Sequence, residues 1–328
     1  MSRLAARLAR MHGPGAAPEA PTDRTLELLP SHLDRLRPWR FEVTDFGSAR
    51  YTREIIALSR DLPEVDLASL LGDPRLAGFR FDEALYLDIE TTGLGHGAGT
   101  LAFLVGLAWI EGDHVVLDQL FLTDPTEEMA LLRAFLDRLE RCRYLVSFNG
   151  KSFDTSVLQS RLVITRLLGQ VEAQLKLVPH FDLFHVSRRA YKGLLPDGKL
   201  QTLERAVLGL DPFERHDDVP GALVPTLYFH YLHTGEAPPL HGVLVHNRVD
   251  VLSLVSLAMH LCDVWAGPPE DAPDGVVLNL VRDALKRRDR PRAEALLARC
   301  SSSSEAEVAL AAQALSERLR RMRWPKPK

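Results

Sequence analysis

The sequence predicts an α/β domain built on a mixed β-sheet, and two observations support this class. Three apolar segments that read as strands follow one another between residues 84 and 124: ALYLDIETT, TLAFLVGLAWIEG and HVVLDQLFLTD. The first of them shows the alternation typical of a strand. After them, segments with the helical period of about 3.6 residues alternate with short apolar strands. A meander of three strands followed by helical crossovers combines antiparallel and parallel pairing in one sheet.

Turn and capping residues divide this region into elements. Glu111, Gly112 and Asp113 form a hairpin signal between the second and third strands. Asp124 and Pro125 open a helix that continues through MALLRAFLDRLERC. YLVSFNG predicts a buried fourth strand, SFDTSVLQSRL a helix, and HFDLFHV a fifth strand. Helices are then expected near 199–209 and 240–263, which gives a five-stranded sheet flanked by helices.

Composition divides the chain into four parts. Residues 13–30 are rich in proline and alanine, and residues 1–30 are predicted to be a flexible segment. Residues 31–83 are expected to form an extension that packs on the core. The α/β domain is expected at 84–265. Beyond Pro268 and Pro269, amphipathic segments predict a small helical extension at 270–324, whose first part resembles a tetratricopeptide unit.

Bulk properties restrict the function classes. The 328-residue chain has a net charge of −4, so nucleic acid would have to be bound by local patches instead of a global basic field. Its three cysteines are far apart, which disfavours disulfides and zinc sites and fits a reducing cytoplasm. Apolar runs fall short of the roughly 18 residues that span a bilayer, so no membrane association is expected.

Asp88 and Glu90 form the first candidate site. They lie two apart on a strand, so both carboxylates leave the same face of the sheet. Like charges this close repel, and a hard divalent cation such as Mg²⁺ or Mn²⁺ would compensate them. Taken alone, such a pair is more often simply solvated.

Two further elements carry acids. Asp154 follows the fourth strand in the first turn of a helix, where an acid often only complements the helix dipole. His246 and Asp250 are four residues apart on one helix face, a spacing common for exposed pairs. Together with Asp88 and Glu90 they make four acids and one histidine. Two divalent ions about 3.5–4 Å apart need such a set of carboxylates.

At these residues the chain resembles a known family. LYLDIETTGL, FNGKSFD and HNRVDVLSL look like the three motifs of the DEDD 3′→5′ exonucleases, which have an RNase H-like fold. More narrowly, residues from about 45 to 263 resemble the YprB-like RNase H-like exonucleases, a bacterial group associated with DNA repair. The motifs occur in the expected order with sensible spacing, which makes the likeness specific.

The resemblance implies roles for individual residues. Asp88, Glu90, Asp154 and Asp250 would hold two Mg²⁺ or Mn²⁺ ions, and His246 would be the general base. Histidine-type members usually place four residues between this histidine and the last aspartate, whereas three intervene here, so His241 is the alternative base. The expected substrate contacts are Thr91, Leu94 as a wedge against terminal bases, Asn149 and Lys151.

The expected function is hydrolysis of DNA from the 3′ end, at single strands or 3′ ends, with release of nucleoside 5′-monophosphates. DNA is favoured over RNA only by the family's association with repair. The alternatives are a non-catalytic nucleic-acid-binding scaffold of a repair complex, an RNA-directed exonuclease, and a hydrolase of small phosphodiesters. A helicase is a candidate partner, which the C-terminal helices could dock.

Overall fold

The computed structural model describes residues 39–93, 99–167, 175–210 and 217–323. The segment 1–30 that was expected to be flexible lies outside these residues. The described residues contain one seven-stranded sheet with the strand order β1-β2-β5-β4-β3-β6-β7. The strands are β1 (Arg40–Thr44), β2 (Gly47–Ala57), β3 (Ala84–Thr91), β4 (Ala102–Glu111), β5 (His114–Phe121), β6 (Tyr144–Ser147) and β7 (His180–Asp182).

The mixed sheet expected from the sequence is confirmed. β3, β4 and β5 form the antiparallel meander, and β6 and β7 continue the sheet in parallel on the other side of β3. β7 is shorter than its apolar segment suggested, because Asp182 ends the strand and caps the next helix by accepting a hydrogen bond from the Phe184 N–H. β3 therefore lies inside the sheet, between an antiparallel and a parallel neighbour.

The sheet is larger than the expected five strands, because residues 40–57 add a hairpin to the meander. β2 pairs antiparallel with β5 from Arg50 to Ala57, and β1 pairs with β2. An ion network fixes the hairpin: the fully buried Asp118 carboxylate on β5 accepts hydrogen bonds from Arg53 of β2 and from Arg138. Arg138 also binds Glu42 of β1 at 2.8 and 3.0 Å. The two guanidinium groups compensate the Asp118 charge, since a buried carboxylate without a partner is costly.

Helices cover both faces of the sheet, and each face has its own apolar core. The helices are α1 (Leu67–Leu71), α2 (Glu128–Leu139), α3 (Asp154–Ile164), α4 (Leu183–Tyr191), α5 (Leu200–Leu203, continued by a π-helical turn over Glu204–Leu208), α6 (Val224–Thr234), α7 (Leu240–Ala266), α8 (Asp274–Arg287), α9 (Arg290–Cys300) and α10 (Ala306–Arg321). The first core contains side chains of α2, α3 and α6, and the second those of α4 and the C-terminal helices α8–α10. The C-terminal helical extension thus packs on the sheet domain.

The long helix α7 contributes to both cores and crosses β3 and β4. It is long and apolar enough to span a membrane by length and composition, but 67% of its most apolar window is buried inside the protein. At Gly106 of β4 the helix meets the strand backbone directly. A Cβ there would lie 2.2 Å from Asn247 Oδ1 and 2.7 Å from Val251 Cγ2, so only glycine permits this approach.

Replacing Gly106 by alanine is expected to destabilise the protein by about 1–3 kcal/mol, the usual cost of overpacking a core. Gly267→Ala is the matched control, because nothing lies within 4 Å of its Cβ position and its φ is −169°, which any residue adopts. Urea unfolding of both variants measures the difference. Equal midpoints for Gly106→Ala and Gly267→Ala would refute the close packing of α7 on β4.

Candidate active site

Four acidic side chains converge where β3, β6 and α7 meet; together they are the acid cluster. Asp88 and Glu90 lie on β3, Asp154 is the first residue of α3 after β6, and Asp250 lies on α7. β3 and β6 are parallel neighbours, with Tyr86 opposite Val146, so the segments that follow them lie at one edge of the sheet. α7 packs over β3, which brings Asp250 to the same edge.

The members of the acid cluster lie close enough for their charges to act on one another. Burial, then the charges of Asp250, Glu90 and Asp154, raise the pKa of Asp88 well above its usual range. Burial, then the charges of Asp182 and Asp250, raise the pKa of Asp154 to about 8. Each acid of the cluster therefore makes it harder for another to be charged. The three segments predicted to carry the chemistry come together in space.

The donor set of the acid cluster fits divalent cations. Its members are carboxylates, the hard oxygen ligands that Mg²⁺ and Mn²⁺ prefer, and their mutual repulsion is relieved by positive charge. Asp154 is buried, whereas Asp88, Glu90 and Asp250 keep partial exposure, which leaves a face open to solvent. Among the described residues, no three acidic, histidine or cysteine side chains already stand in a coordinating arrangement. Ion binding would therefore require the carboxylates to rotate towards a common centre.

His246 faces the acid cluster through one ring nitrogen. Nε2 lies 3.9 Å from Glu90 Oε1 and 3.7 Å from Asp250 Oδ2, and Nδ1 lies 2.6 Å from Asp218 Oδ1. Burial opposes its protonation, but the hydrogen bond to Asp218 and the charges of the surrounding acids outweigh it and raise the pKa. His241, the alternative base, lies 3.6 Å from Asp217 with 42% of its side chain exposed. The geometry therefore favours His246 over His241 as the base.

Asn247, next to His246, holds the Asp88 carboxylate and was not singled out from the sequence. Its fully buried amide donates to Asp88 Oδ2 at 2.9 Å and to the Asp88 carbonyl at 3.2 Å. Gln119 of β5, also fully buried, donates to Asn247 Oδ1 at 2.9 Å. This chain of buried amides orients one member of the acid cluster. The available signal was a carboxamide whose neighbours on the helix face, Val243, Leu244 and Val251, are apolar.

Asp182 holds the loop that leads to Asp154, and it too was not predicted from the sequence. Its buried carboxylate accepts the backbone N–H groups of Asn149 at 2.9 Å and Lys151 at 3.1 Å. Asn149 has a φ of 63°, a conformation that costs free energy in a non-glycine residue and persists only when its surroundings enforce it. Asp182 supplies part of that enforcement.

The structure places three of the four expected substrate contacts near the acid cluster. Thr91, at the end of β3, is buried and donates its hydroxyl proton to the Gly93 carbonyl at 2.7 Å. Asn149 and Lys151 belong to the loop before Asp154, and Lys151 is exposed there. Leu94, the expected wedge, lies outside the described residues.

Comparison with known proteins agrees with this architecture. The family model of the RNase_H superfamily matches residues 85–262, from β3 to α7. The chain belongs to the RNase H superfamily. This confirms the expected RNase H-like α/β fold.

The YprB-like resemblance is also confirmed. The RNase H-like chain is 40% identical over 187 residues to the "Uncharacterized protein YprB" of Bacillus subtilis (strain 168). The matched region is 56% of this chain and 43% of the relative, so the chain spans less than half of that protein's length.

The raised pKa of Asp154 makes the stability of the cation-free RNase H-like protein depend on pH. The ordinary pKa of the group is 3.8, and in the folded protein it is raised to about 8. At a pH between these two values the folded state keeps the proton and the unfolded state loses it, so the free energy of unfolding falls as pH rises. Asp154→Asn mimics the protonated carboxyl group and lacks this dependence. The variant should therefore gain stability relative to wild type as pH rises. Urea unfolding in chelator measures both proteins at about pH 5 and about pH 8. A pH-independent difference between them would show that Asp154 titrates normally.

Proposed function

We propose that this chain is a metal-dependent 3′→5′ exonuclease that hydrolyses DNA and releases nucleoside 5′-monophosphates. The observation that carries the proposal is the convergence of Asp88, Glu90, Asp154 and Asp250 from three separate segments, with His246 against two of them. The direction of degradation rests on the likeness of these segments to the DEDD motifs. The choice of DNA rests on the repair association of the resembled family.

In this proposal the acid cluster binds two Mg²⁺ or Mn²⁺ ions. When bound, such ions lower the pKa of water and neutralise charge on the oxygens of the scissile phosphodiester. His246 accepts a proton from the attacking water through Nε2, the nitrogen that faces the cluster. Asn247 keeps the Asp88 carboxylate oriented, and Asp182 keeps the loop before Asp154 in its strained conformation.

A non-catalytic nucleic-acid scaffold is the main rival, and the mutual repulsion of the clustered acids argues against it. Four repelling carboxylates destabilise a fold, and a scaffold that never binds cations gains nothing from keeping them together. An RNA-directed exonuclease and a hydrolase of small phosphodiesters would use the same acids. Only the choice of substrate separates these two from the proposal.

Single-residue changes in the acid cluster are expected to abolish hydrolysis. Asp88→Asn, Asp154→Asn and Asp250→Asn each remove a charged oxygen donor, so activity should fall by more than the roughly 10–100-fold typical of residues that only support a metal ligand. His246→Ala should lose most activity. The measurement uses single- and double-stranded DNA and RNA of equal sequence, labelled at the 5′ end, with Mg²⁺, Mn²⁺ or chelator.

Asp113→Asn is the control, because Asp113 lies in the β4–β5 turn with 87% of its side chain exposed. The activity of this variant should equal that of wild type. The expected product pattern is a ladder that shortens from the 3′ end and disappears with chelator. Hydrolysis that survives chelator would exclude the proposed mechanism. Immediate release of the labelled 5′ nucleotide would exclude the polarity. Mononucleotide release from RNA alone would reassign the substrate.

Cation binding has a readout that needs no substrate. Because cations and protons compete for the acid cluster, Mn²⁺ should stabilise the protein more at about pH 8 than at about pH 6. At a concentration about 100 times Kd the stabilisation is about 2.7 kcal/mol. Thermal unfolding with and without Mn²⁺ measures it, and Asp88→Asn should lose most of the shift while Asp113→Asn keeps it. A shift of equal size in both variants would locate the cation elsewhere.

A further inference from the structure

The segment Asp217–Gly221 packs against α7 beside His246. Gly242 lies one helical turn before His246, and a Cβ on it would stand 2.5 Å from Val219 Cγ1 and 2.7 Å from the Asp217 carbonyl oxygen. Glycine at this position therefore lets the segment lie directly on the helix. A Cβ on Gly221 would stand 3.9 Å from His246 Nε2, so the same segment also borders the imidazole ring.

Within this segment Asp218 makes a specific contact with the imidazole. Its Oδ1 lies 2.6 Å from His246 Nδ1, and the side chains are only 9% and 12% exposed. The same oxygen accepts the Val219 backbone N–H at 2.6 Å, which fixes the orientation of the carboxylate. A carboxylate is only an acceptor, so the ring must carry its proton on Nδ1. In the neutral ring the lone pair then lies on Nε2, which faces Glu90 and Asp250.

The neighbouring Asp217 provides an internal comparison. It pairs with His241 at 3.6 Å, longer than a hydrogen bond, and both side chains are largely exposed, at 48% and 42%. The two aspartates are adjacent in sequence and each faces a histidine of α7. Only the Asp218 pair is short, largely buried and directed at the acid cluster.

We propose that Asp218 is the positioning residue of His246: it holds the imidazole ring and fixes the tautomer that presents an unprotonated Nε2 to the acid cluster. The catalytic part of this inference rests on the proposed function. A carboxylate behind a histidine orients the base and selects its tautomer in other hydrolytic sites. Without Asp218, the ring can rotate or carry its proton on Nε2, and it then cannot accept a proton from water.

The first test is spectroscopic and needs no substrate. Long-range ¹⁵N–¹H spectra of the full chain, assigned with His246→Gln, report which nitrogen of the neutral ring is protonated. Wild type should show His246 as the Nδ1–H tautomer, and Asp218→Ala should shift the population to Nε2–H. Asp217→Ala should leave the His246 signals unchanged. A neutral wild-type ring protonated on Nε2 alone, or one that does not respond to Asp218→Ala, overturns the proposal.

The second test separates positioning from folding. Asp218→Ala should lower kcat by about 10–100-fold with KM nearly unchanged, the size typical of residues that orient a functional ligand. Asp218→Asn keeps a hydrogen-bond acceptor, so its kcat should fall less than that of Asp218→Ala. Asp217→Ala should have the kcat of wild type. In the His246→Ala background, Asp218→Ala should add no further loss, because its effect passes through the ring.

The outcomes distinguish the two proposals. If Asp218→Ala lowered kcat by the same factor in the His246→Ala background as in wild type, Asp218 would only support the fold, and the positioning proposal would fail. If Asp88→Asn were as active as wild type, the proposed function would fail, while the tautomer spectra would still decide the role of Asp218. If Asp88→Asn were inactive and Asp218→Ala fully active, only the positioning proposal would fall.

Discussion

Mutual repulsion among carboxylates that are drawn out of water is the constraint on which this site depends. Burial, and after it the charges of Asp250, Glu90 and Asp154, oppose the ionisation of Asp88 and raise its pKa. Protonation lowers that cost when cations are absent, and divalent cations would lower it further at neutral pH. The site is thus unfavourable for the cation-free protein, and such local conflict with folding is typical of functional sites.

The rest of the architecture holds these charges in place. β3 is an inner strand of the sheet, α7 lies on the backbone of β4 at Gly106, and the close approach lets Asn247 reach Asp88. Asp182 accepts hydrogen bonds from two backbone N–H groups of the loop before Asp154. Buried hydrogen bonds of this kind are worth more than exposed ones and keep side-chain orientations fixed. The polar residues around the acids therefore support the geometry of the acid cluster.

Local sequence patterns were sufficient to predict the strands and the acidic residues of the site, but not the residues that hold those acids in place. The alternation in β3 and the turn at Gly112 depend on neighbours in sequence, so the sheet and its acidic face could be predicted. The added hairpin could not, because its anchoring charge, Asp118, is 65 residues from Arg53. Asn247, Asp182 and Asp218 look like ordinary polar residues until tertiary structure places them against the site. Leu94 lies outside the described residues, and its role stays a prediction.

Direct localisation of bound Mn²⁺ tests the central claim most directly. Crystals grown with Mn²⁺ and measured by anomalous diffraction should show two peaks about 3.5–4 Å apart, bounded by the carboxylates of Asp88, Glu90, Asp154 and Asp250. The Asp88→Asn protein should lose at least one of them. Strong manganese peaks elsewhere, with none among these four side chains, would contradict the assignment of the acid cluster as a cation site.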